Sequence, residues 1–315
     1  MNTLLLFASK HSRSFQHFSI KKNVKATFMT SKFADPKLDI VFKSLFGESD
    51  LLLDFINKAL PTKRITSVQY IPTTIEPNRM EQKQSILDVL CTDENGSKYI
   101  VEMQSAKEKS FNKRALYDAS KIYESQLKRG GQYSDLLEVI FIAITDFVMF
   151  PENKKYLSTS TIRDTETGEQ TLKDLTFVFI EIPKYKVHHK DAKGIDEWID
   201  LFKNAPNRNT IETSDPIIKR AYEKLKISNW TNQDLIYFEA YQKILLDNET
   251  RENRLKDESK AEGIAEGKAE GIAEGIAEGE AKLVKTMLRR NVDVDTIFKM
   301  TGISQDEIRR LGNDL

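Results

Sequence analysis

The stretch from Ser85 to Gln104, SILDVLCTDENGSKYIVEMQ, constrains the fold more than any other part of the chain. Two runs rich in β-branched and aromatic residues, Ser85 to Thr92 and Lys98 to Gln104, flank the polar Asp93-Glu94-Asn95-Gly96, which predicts a β-hairpin. Side chains alternate along a strand, so Asp88 shares a face with Ile86 and Leu90, and Glu102 shares one with Ile100 and Gln104. Loop length then decides whether the two carboxylates meet. A two-residue Asn95-Gly96 turn pairs Asp88 with Met103 and sends Glu102 to the opposite face. A three-residue loop, with a type I turn over Glu94 and Asn95 and a left-handed Gly96 in a bulge, sets Asp88 opposite Glu102 and is the loop predicted here.

A carboxylate buried among strand apolar residues loses solvation unless something pairs it. A hard divalent cation, Mg²⁺ or Mn²⁺, satisfies both Asp88 and Glu102, because it prefers oxygen ligands and keeps several waters. One such water becomes a better nucleophile, and the Gln104 amide is spaced to orient it. The plainer reading is a hairpin whose polar face meets solvent, as in many antiparallel sheets. The spacing Asp-x13-Glu-x-Gln leaves both readings open.

With 315 residues the chain buries a sizeable core in one large domain or two. Lys plus Arg equals Asp plus Glu at 48 each, so any surface for nucleic acid has to be local. The single cysteine, Cys91, excludes a disulfide framework and a thiolate metal site, and fits a reducing, cytoplasmic setting. No apolar run reaches membrane-spanning length. Residues 1–32 hold six basic residues and no acidic one, a composition shared with organellar transit peptides. The expectation is a disordered basic arm, or a segment upstream of a translation start at Met29.

Asp35-Pro36 followed by Leu38, Val41, Phe42, Leu45 and Phe46, then Gly47, predicts a helix with an N-cap, a first-turn proline and an apolar stripe. Asp39 lies at the edge of that stripe, where it faces either a cleft or solvent. A second helix is predicted over Asp50 to Leu60, and a strand over Ile65 to Ile71. Lys107 to Arg129 is amphipathic, and its polar side carries Lys113, Arg114, Lys121, Lys128 and Arg129, either a phosphate-tracking row or a solvated face. Arg114 and Lys121 are the candidate nucleic-acid contacts. The unbroken apolar runs Glu138 to Thr145 and Leu175 to Ile182 read as strands buried on both faces, with a hairpin built on Lys155 to Arg163 and the turn Asp164 to Gly168 between them. This order describes an α/β core whose antiparallel hairpin joins a mixed sheet.

Several separated motifs now agree in order and spacing: DPKLDIVFKSLFG from Asp35 to Gly47, the ILDV and IVEMQ arms of the hairpin, KRALYDASKIYESQLKRGGQY from Lys113 to Tyr133, IFIAITDF, and FIEIPKY from Phe179 to Tyr185. Together they resemble the Rpn family of recombination-promoting nucleases, also called PD-(D/E)XK nuclease family transposases, over residues 33–310. The resemblance implies a restriction-endonuclease-like α/β fold, a mixed central sheet flanked by helices, and Mg²⁺-dependent cleavage of DNA phosphodiesters with little sequence preference. Carried over by position, Asp88 and Glu102 hold the metal together with the Met103 backbone carbonyl, and Asp39 matches an acidic residue of the first helix. Gln104 stands where the wider superfamily places a lysine, and it cannot supply positive charge to a transition state. Lys107 or Lys113 is the candidate substitute.

The chain beyond Lys186 reads as helical, with Trp198 and Trp230 as anchors to the core. A repeat follows from Ala261 to Glu280, Ala-Glu-Gly plus Ile, Lys or Glu. Its period of four overshoots the helical 3.6, so Ile264, Ile272 and Ile276 drift about 40° per repeat. Its five glycines cost about 1 kcal/mol each in a helix, which predicts a marginal spacer or self-association strip. Leu283 to Arg289, Val294 to Met300 and Ser304 to Leu311 complete a helix-turn-helix-like module. Its last helix opens with Asp306 and Glu307, which favours assembly over base reading. The expected organisation is a nuclease core at 33–185, a helical extension at 186–260, the repeat at 261–280 and the small module at 281–315. The rival reading of the whole chain is an inactive nucleic-acid-binding or self-assembling protein of the same fold.

Overall fold

The computed structural model describes residues 31–75 and 85–313, so the basic arm predicted at 1–32 lies outside the described residues except for Ser31 and Lys32. The chain divides into two compact units, up to Leu246 and from Asp247 onward.

In the first unit, α1 (Asp39–Leu45) begins three residues later than predicted, with Leu38 rather than Asp35 at its N-cap. Asp35 instead closes a separate turn: its Oδ1 accepts from the Lys37 N–H at 2.9 Å and its carbonyl from the Leu38 N–H at 3.2 Å. Helix α2 (Ser49–Ala59) follows. The strand expected over Ile65 to Ile71 shrinks to β1 (Gln69–Tyr70). Its first residues are taken by side chains: Ile65 exchanges two hydrogen bonds with Asn57, and the Thr66 and Ser67 N–H groups donate to Glu94. Short β2 (Thr74–Ile75) and β3 (Ser85–Ile86) pair with each other, and β4 (Val89–Thr92) and β5 (Lys98–Gln104) form the predicted hairpin.

Helix α3 (Phe111–Ser125) then crosses to β6 (Val139–Thr145), parallel to β5 and buried throughout. Strands β7 (Leu157–Ile162) and β8 (Leu172–Glu181) form the second predicted hairpin, and β8 runs parallel to β6. The six-stranded sheet has the order β1-β4-β5-β6-β8-β7, with three parallel strands at its centre and antiparallel strands outside them.

Both faces are covered, as the unbroken apolar strands require. On one, Phe111, Ala115, Ala119 and Ile122 of α3 pack against Leu90, Ile100, Phe141 and Phe179. On the other, α1 and α2 pack with α4 (Ile195–Asn204) and α5 (Pro216–Leu225) over Cys91, Val101, Ile142 and Ile180. Trp198 anchors this layer, with its ring between Phe46, Phe55 and Phe202 and its Nε1 donating to Asp54 at 2.8 Å. Trp230 packs edge-on against Phe238 of α6 (Asn232–Arg289).

Helix α6 is continuous through all five repeat glycines. The alanine and glutamate between them are strong helix formers, and none of the five glycines has a neighbour within Cβ contact. Ile264, Ile272 and Ile276 are exposed. In the second unit the end of α6, α7 (Val294–Thr301) and α8 (Gln305–Asn313) bury Val284, Ile297 and Ile308. Left-handed Gly302 ends α7, and Ser304 Oγ accepts from the Glu307 N–H at 3.3 Å to open α8. No helix among the described residues is long and apolar enough to cross a membrane.

Candidate functional site

The hairpin loop sets the register on which the site depends. Gly96 takes φ 87°, its N–H donates to the Asp93 carbonyl at 3.1 Å, and the Asp93 N–H donates to the Ser97 carbonyl at 3.1 Å. This is the three-residue loop with a left-handed glycine that the sequence predicts. Val89 faces Val101 and Thr92 faces Lys98, so one step further Asp88 stands opposite Glu102.

The run from Ser85 to Thr92, expected as one strand, is interrupted at Leu87 and Asp88. The cause lies on the neighbouring segment. The Ile71 N–H donates to the Leu90 carbonyl and the Leu87 N–H to the Thr73 carbonyl, so Pro72 alone faces both Asp88 and Val89. The extra residue opposite Pro72 makes a bulge, a device that re-aims a side chain. Asp88 Oδ2 thereby accepts from the Met103 N–H at 2.9 Å, while Glu102 Oε1 accepts from the Asp88 N–H at 2.8 Å. Strand residues point their N–H and C=O the same way, so the Met103 carbonyl also faces the Asp88 edge of β5.

Three further elements converge here, at the carboxyl end of the parallel strand β5. From α1, Lys43 reaches Asp39 Oδ1 at 2.6 Å and Asp88 Oδ1 at 3.4 Å. From α3, the buried Asp118 accepts from Ser85 Oγ at 2.7 Å and lies close enough to Glu102 to raise its pKa. From α6, Tyr241 lies near Asp39 and Asp88; burial, then those carboxylates, push its hydroxyl pKa up.

Gln104, buried at the end of β5, has its amide held at both ends: Nε2 donates to the Ala106 carbonyl at 2.9 Å, and Oε1 accepts from Arg114 at 2.6 Å. Arg114 also pairs with Glu108 at 2.9 Å and lies 4.8 Å from the Phe111 ring centre, so its guanidinium is turned towards Gln104. Lys121 is half-buried with its ammonium 5.9 Å from the Tyr117 ring, and Lys107 and Lys113 are exposed.

Four carboxylates, Asp39, Asp88, Glu102 and Asp118, thus gather with two cations, Lys43 and Arg114. Burial pushes the Asp88 carboxyl up to about 6, with Lys43 pulling it down and Asp39 pushing it up. Glu102 is raised well above the ordinary range, by burial first and then by Asp88. Burial opposes charge on Lys43, but Asp88 and Asp39 outweigh it and raise its pKa. Such a site favours added positive charge.

Among the described residues, no three His, Cys, Asp or Glu side chains are arranged as a complete metal cage. A hard cation such as Mg²⁺ does not need one, because it binds one or two carboxylates and completes its shell with water and substrate phosphate oxygens. The oxygen donors of Asp88, Glu102 and the Met103 carbonyl fit that requirement.

The sequence reading missed Lys43, Asp118 and Tyr241. Asp118 carried a signal, since it falls on the α3 apolar stripe with Phe111, Ala115 and Ile122. Lys43 carried another, four residues after Asp39 on one helix face. Tyr241 carried none, because only the packing of α6 brings it here.

A mixed six-stranded sheet flanked by helices, with acidic residues at the end of its central hairpin, is a restriction-endonuclease-like architecture. Comparison with curated proteins and with solved structures finds no match. A family model described as PD-(D/E)XK nuclease family transposase matches residues 36–253, a span that contains the whole sheet and every residue of the cluster, and the chain belongs to that family.

Proposed function

We propose that the protein is a divalent-metal-dependent DNA endonuclease of low sequence specificity, active in the cytoplasm and serving recombination or mobile-element movement. One observation carries the reading: the half-buried Asp88 and buried Glu102, locked across the bulged end of the hairpin, are carboxylates with raised pKa values and an excess of negative charge around them. Asp88, Glu102 and the Met103 carbonyl would hold Mg²⁺ or Mn²⁺, which when bound activates water and neutralises charge on the phosphodiester. Asp39 adds a carboxylate from α1, and Arg114 holds Gln104, whose amide borders the site.

The exposed Lys107 and Lys113, with half-buried Lys121, supply a local basic row along and before α3 in a chain without net charge, and this row would track the phosphate backbone. Low specificity follows from α8, whose opening Asp306 and Glu307 repel phosphate where base contacts are made. The exposed Ile264, Ile272 and Ile276 are a strip for a second copy of the chain.

Nicking of supercoiled plasmid in Mg²⁺ by the wild type, Asp88→Ala and Glu102→Ala tests the reading. Cleavage by the wild type alone supports it. Equal cleavage by all three refutes the site, and DNA binding without cleavage by the wild type favours a non-catalytic binder.

A further inference from the structure

Lys43 falls within the DPKLDIVFKSLFG motif but is given no role by the family resemblance, and it is the cation that lies directly on the acidic cluster. Its ammonium is 2.6 Å from Asp39 Oδ1 and 3.4 Å from Asp88 Oδ1, and the residue is only 7% exposed. Asp88 offers two oxygens, and Oδ2 already accepts from the Met103 N–H. The oxygen that remains, Oδ1, is the one Lys43 addresses.

We propose that Lys43 is an internal rival of the divalent cation: in the metal-free protein its ammonium occupies the oxygens of Asp39 and Asp88, and cation binding displaces it. The proposal rests on the metal-binding reading given above. Two positive charges within a few ångströms of Asp88 Oδ1 repel each other strongly where the Lys43 and Asp88 side chains are only 8% and 16% exposed, so the two occupancies compete.

The surroundings make displacement feasible. Helix α1 is fixed by the buried Phe42 and Phe46, whose rings meet edge-on at 4.9 Å and pack against Phe202 and Trp198. The lysine side chain is a flexible four-carbon stem, so the ammonium can leave the carboxylates while the helix stays. Arg114 cannot take over, because it is engaged by Glu108 and Gln104. Gln104 is neutral and held at both ends of its amide. The vacated negative charge is therefore available to the incoming ion. The competition sets the cation concentration at which the site fills, and it keeps Asp39 and Asp88 compensated until then.

The test is Mn²⁺ binding by the metal-stripped full-length chain, measured calorimetrically for wild type, Lys43→Met, Lys43→Arg and Asp88→Asn. The expected result is at least tenfold tighter binding by Lys43→Met, near-wild-type binding by Lys43→Arg, and loss of binding by Asp88→Asn. Binding by folded Lys43→Met that equals or falls below wild type, while Asp88→Asn still abolishes it, overturns the Lys43 proposal alone. Wild-type binding that is absent or insensitive to Asp88→Asn overturns the metal site itself. A second measurement needs no variant: reductive methylation of wild-type lysines, read by mass spectrometry. Labelling of Lys43 is expected to rise at saturating Mn²⁺, and an unchanged yield contradicts displacement even if Lys43→Met fails to fold.

Discussion

Asp88 and Glu102 each accept a backbone N–H from the strand that carries the other, Glu102 from Asp88 at 2.8 Å and Asp88 from Met103 at 2.9 Å. The β4–β5 ladder, whose last pair is Val89 with Val101, is thus continued by the two carboxylates. The acidic pair and the end of the hairpin are one unit. A side chain that leaves it strands an amide, which costs about 1–3 kcal/mol when buried.

That arrangement separates two substitutions at one position. Asp88→Asn keeps an oxygen for the Met103 N–H, whereas Asp88→Ala does not. Both are expected to abolish cleavage, and Asp88→Ala to be less stable than Asp88→Asn by about 1–2 kcal/mol at pH 7. Midpoints of urea unfolding give the difference, and equal midpoints would show that the Met103 bond contributes nothing.

The register depends on Gly96. Its φ of 87° disfavours any side chain, and a Cβ there would come within 2.7 Å of Leu137 Cδ1. Gly96→Ala is expected to cost about 1–3 kcal/mol, from backbone strain and the shift forced on Leu137. Denaturant unfolding measures it, and a loss below about 0.5 kcal/mol would mean the turn adopts another form.

The legible part of this molecule is the part governed by local rules. Side-chain alternation and the Asp93 to Gly96 turn predict the loop and the facing of Asp88 and Glu102. The unbroken apolar run of β6 predicts a strand covered on both faces. The errors occur where side chains satisfy backbone groups over longer distances: Asn57 and Glu94 shorten the strand before Gln69, and the Asp88 and Glu102 carboxylates take the N–H groups at the break in the other. The site was half legible for the same reason. Periodicity marks Asp118 as a carboxylate on an apolar stripe, but no spacing within the sequence places Lys43 of α1 on Asp88.

Arg114 reads in sequence as part of a basic face and in the structure as the clamp on Gln104. Arg114→Ala is expected to lower plasmid cleavage by about 10–100-fold, the usual cost of losing a group that orients a metal-site residue. Arg114→Lys is expected to recover little, because one ammonium cannot hold Gln104 and Glu108 and stack on Phe111 together. A loss of DNA affinity with kcat unchanged would instead assign Arg114 to substrate binding.

Asp215 gives a pH dependence away from the site. Burial raises its pKa, but Lys58 and the Ile218 and Ile217 N–H groups at the start of α5 outweigh burial and hold it below the ordinary value. A lowered carboxylate pKa contributes stability that is complete above about pH 4 and is lost as pH falls through the folded-state value. Asp215→Ala is expected to cost about 1–2 kcal/mol at pH 7, with the difference from wild type shrinking below about pH 4. A difference that grows on acidification would contradict the sign.

In the proposed function Asp88 and Glu102 form a cation-dependent cleavage site. Its most direct test is the rate of supercoiled-plasmid nicking as Mg²⁺ is titrated into metal-stripped wild-type and Glu102→Gln protein. Saturable, cation-dependent nicking by the wild type is expected, with a rate at least a hundredfold lower for Glu102→Gln, beyond the usual cost of losing a residue that only orients a metal ligand. Nicking without added cation, or an equal rate in Glu102→Gln, would contradict it.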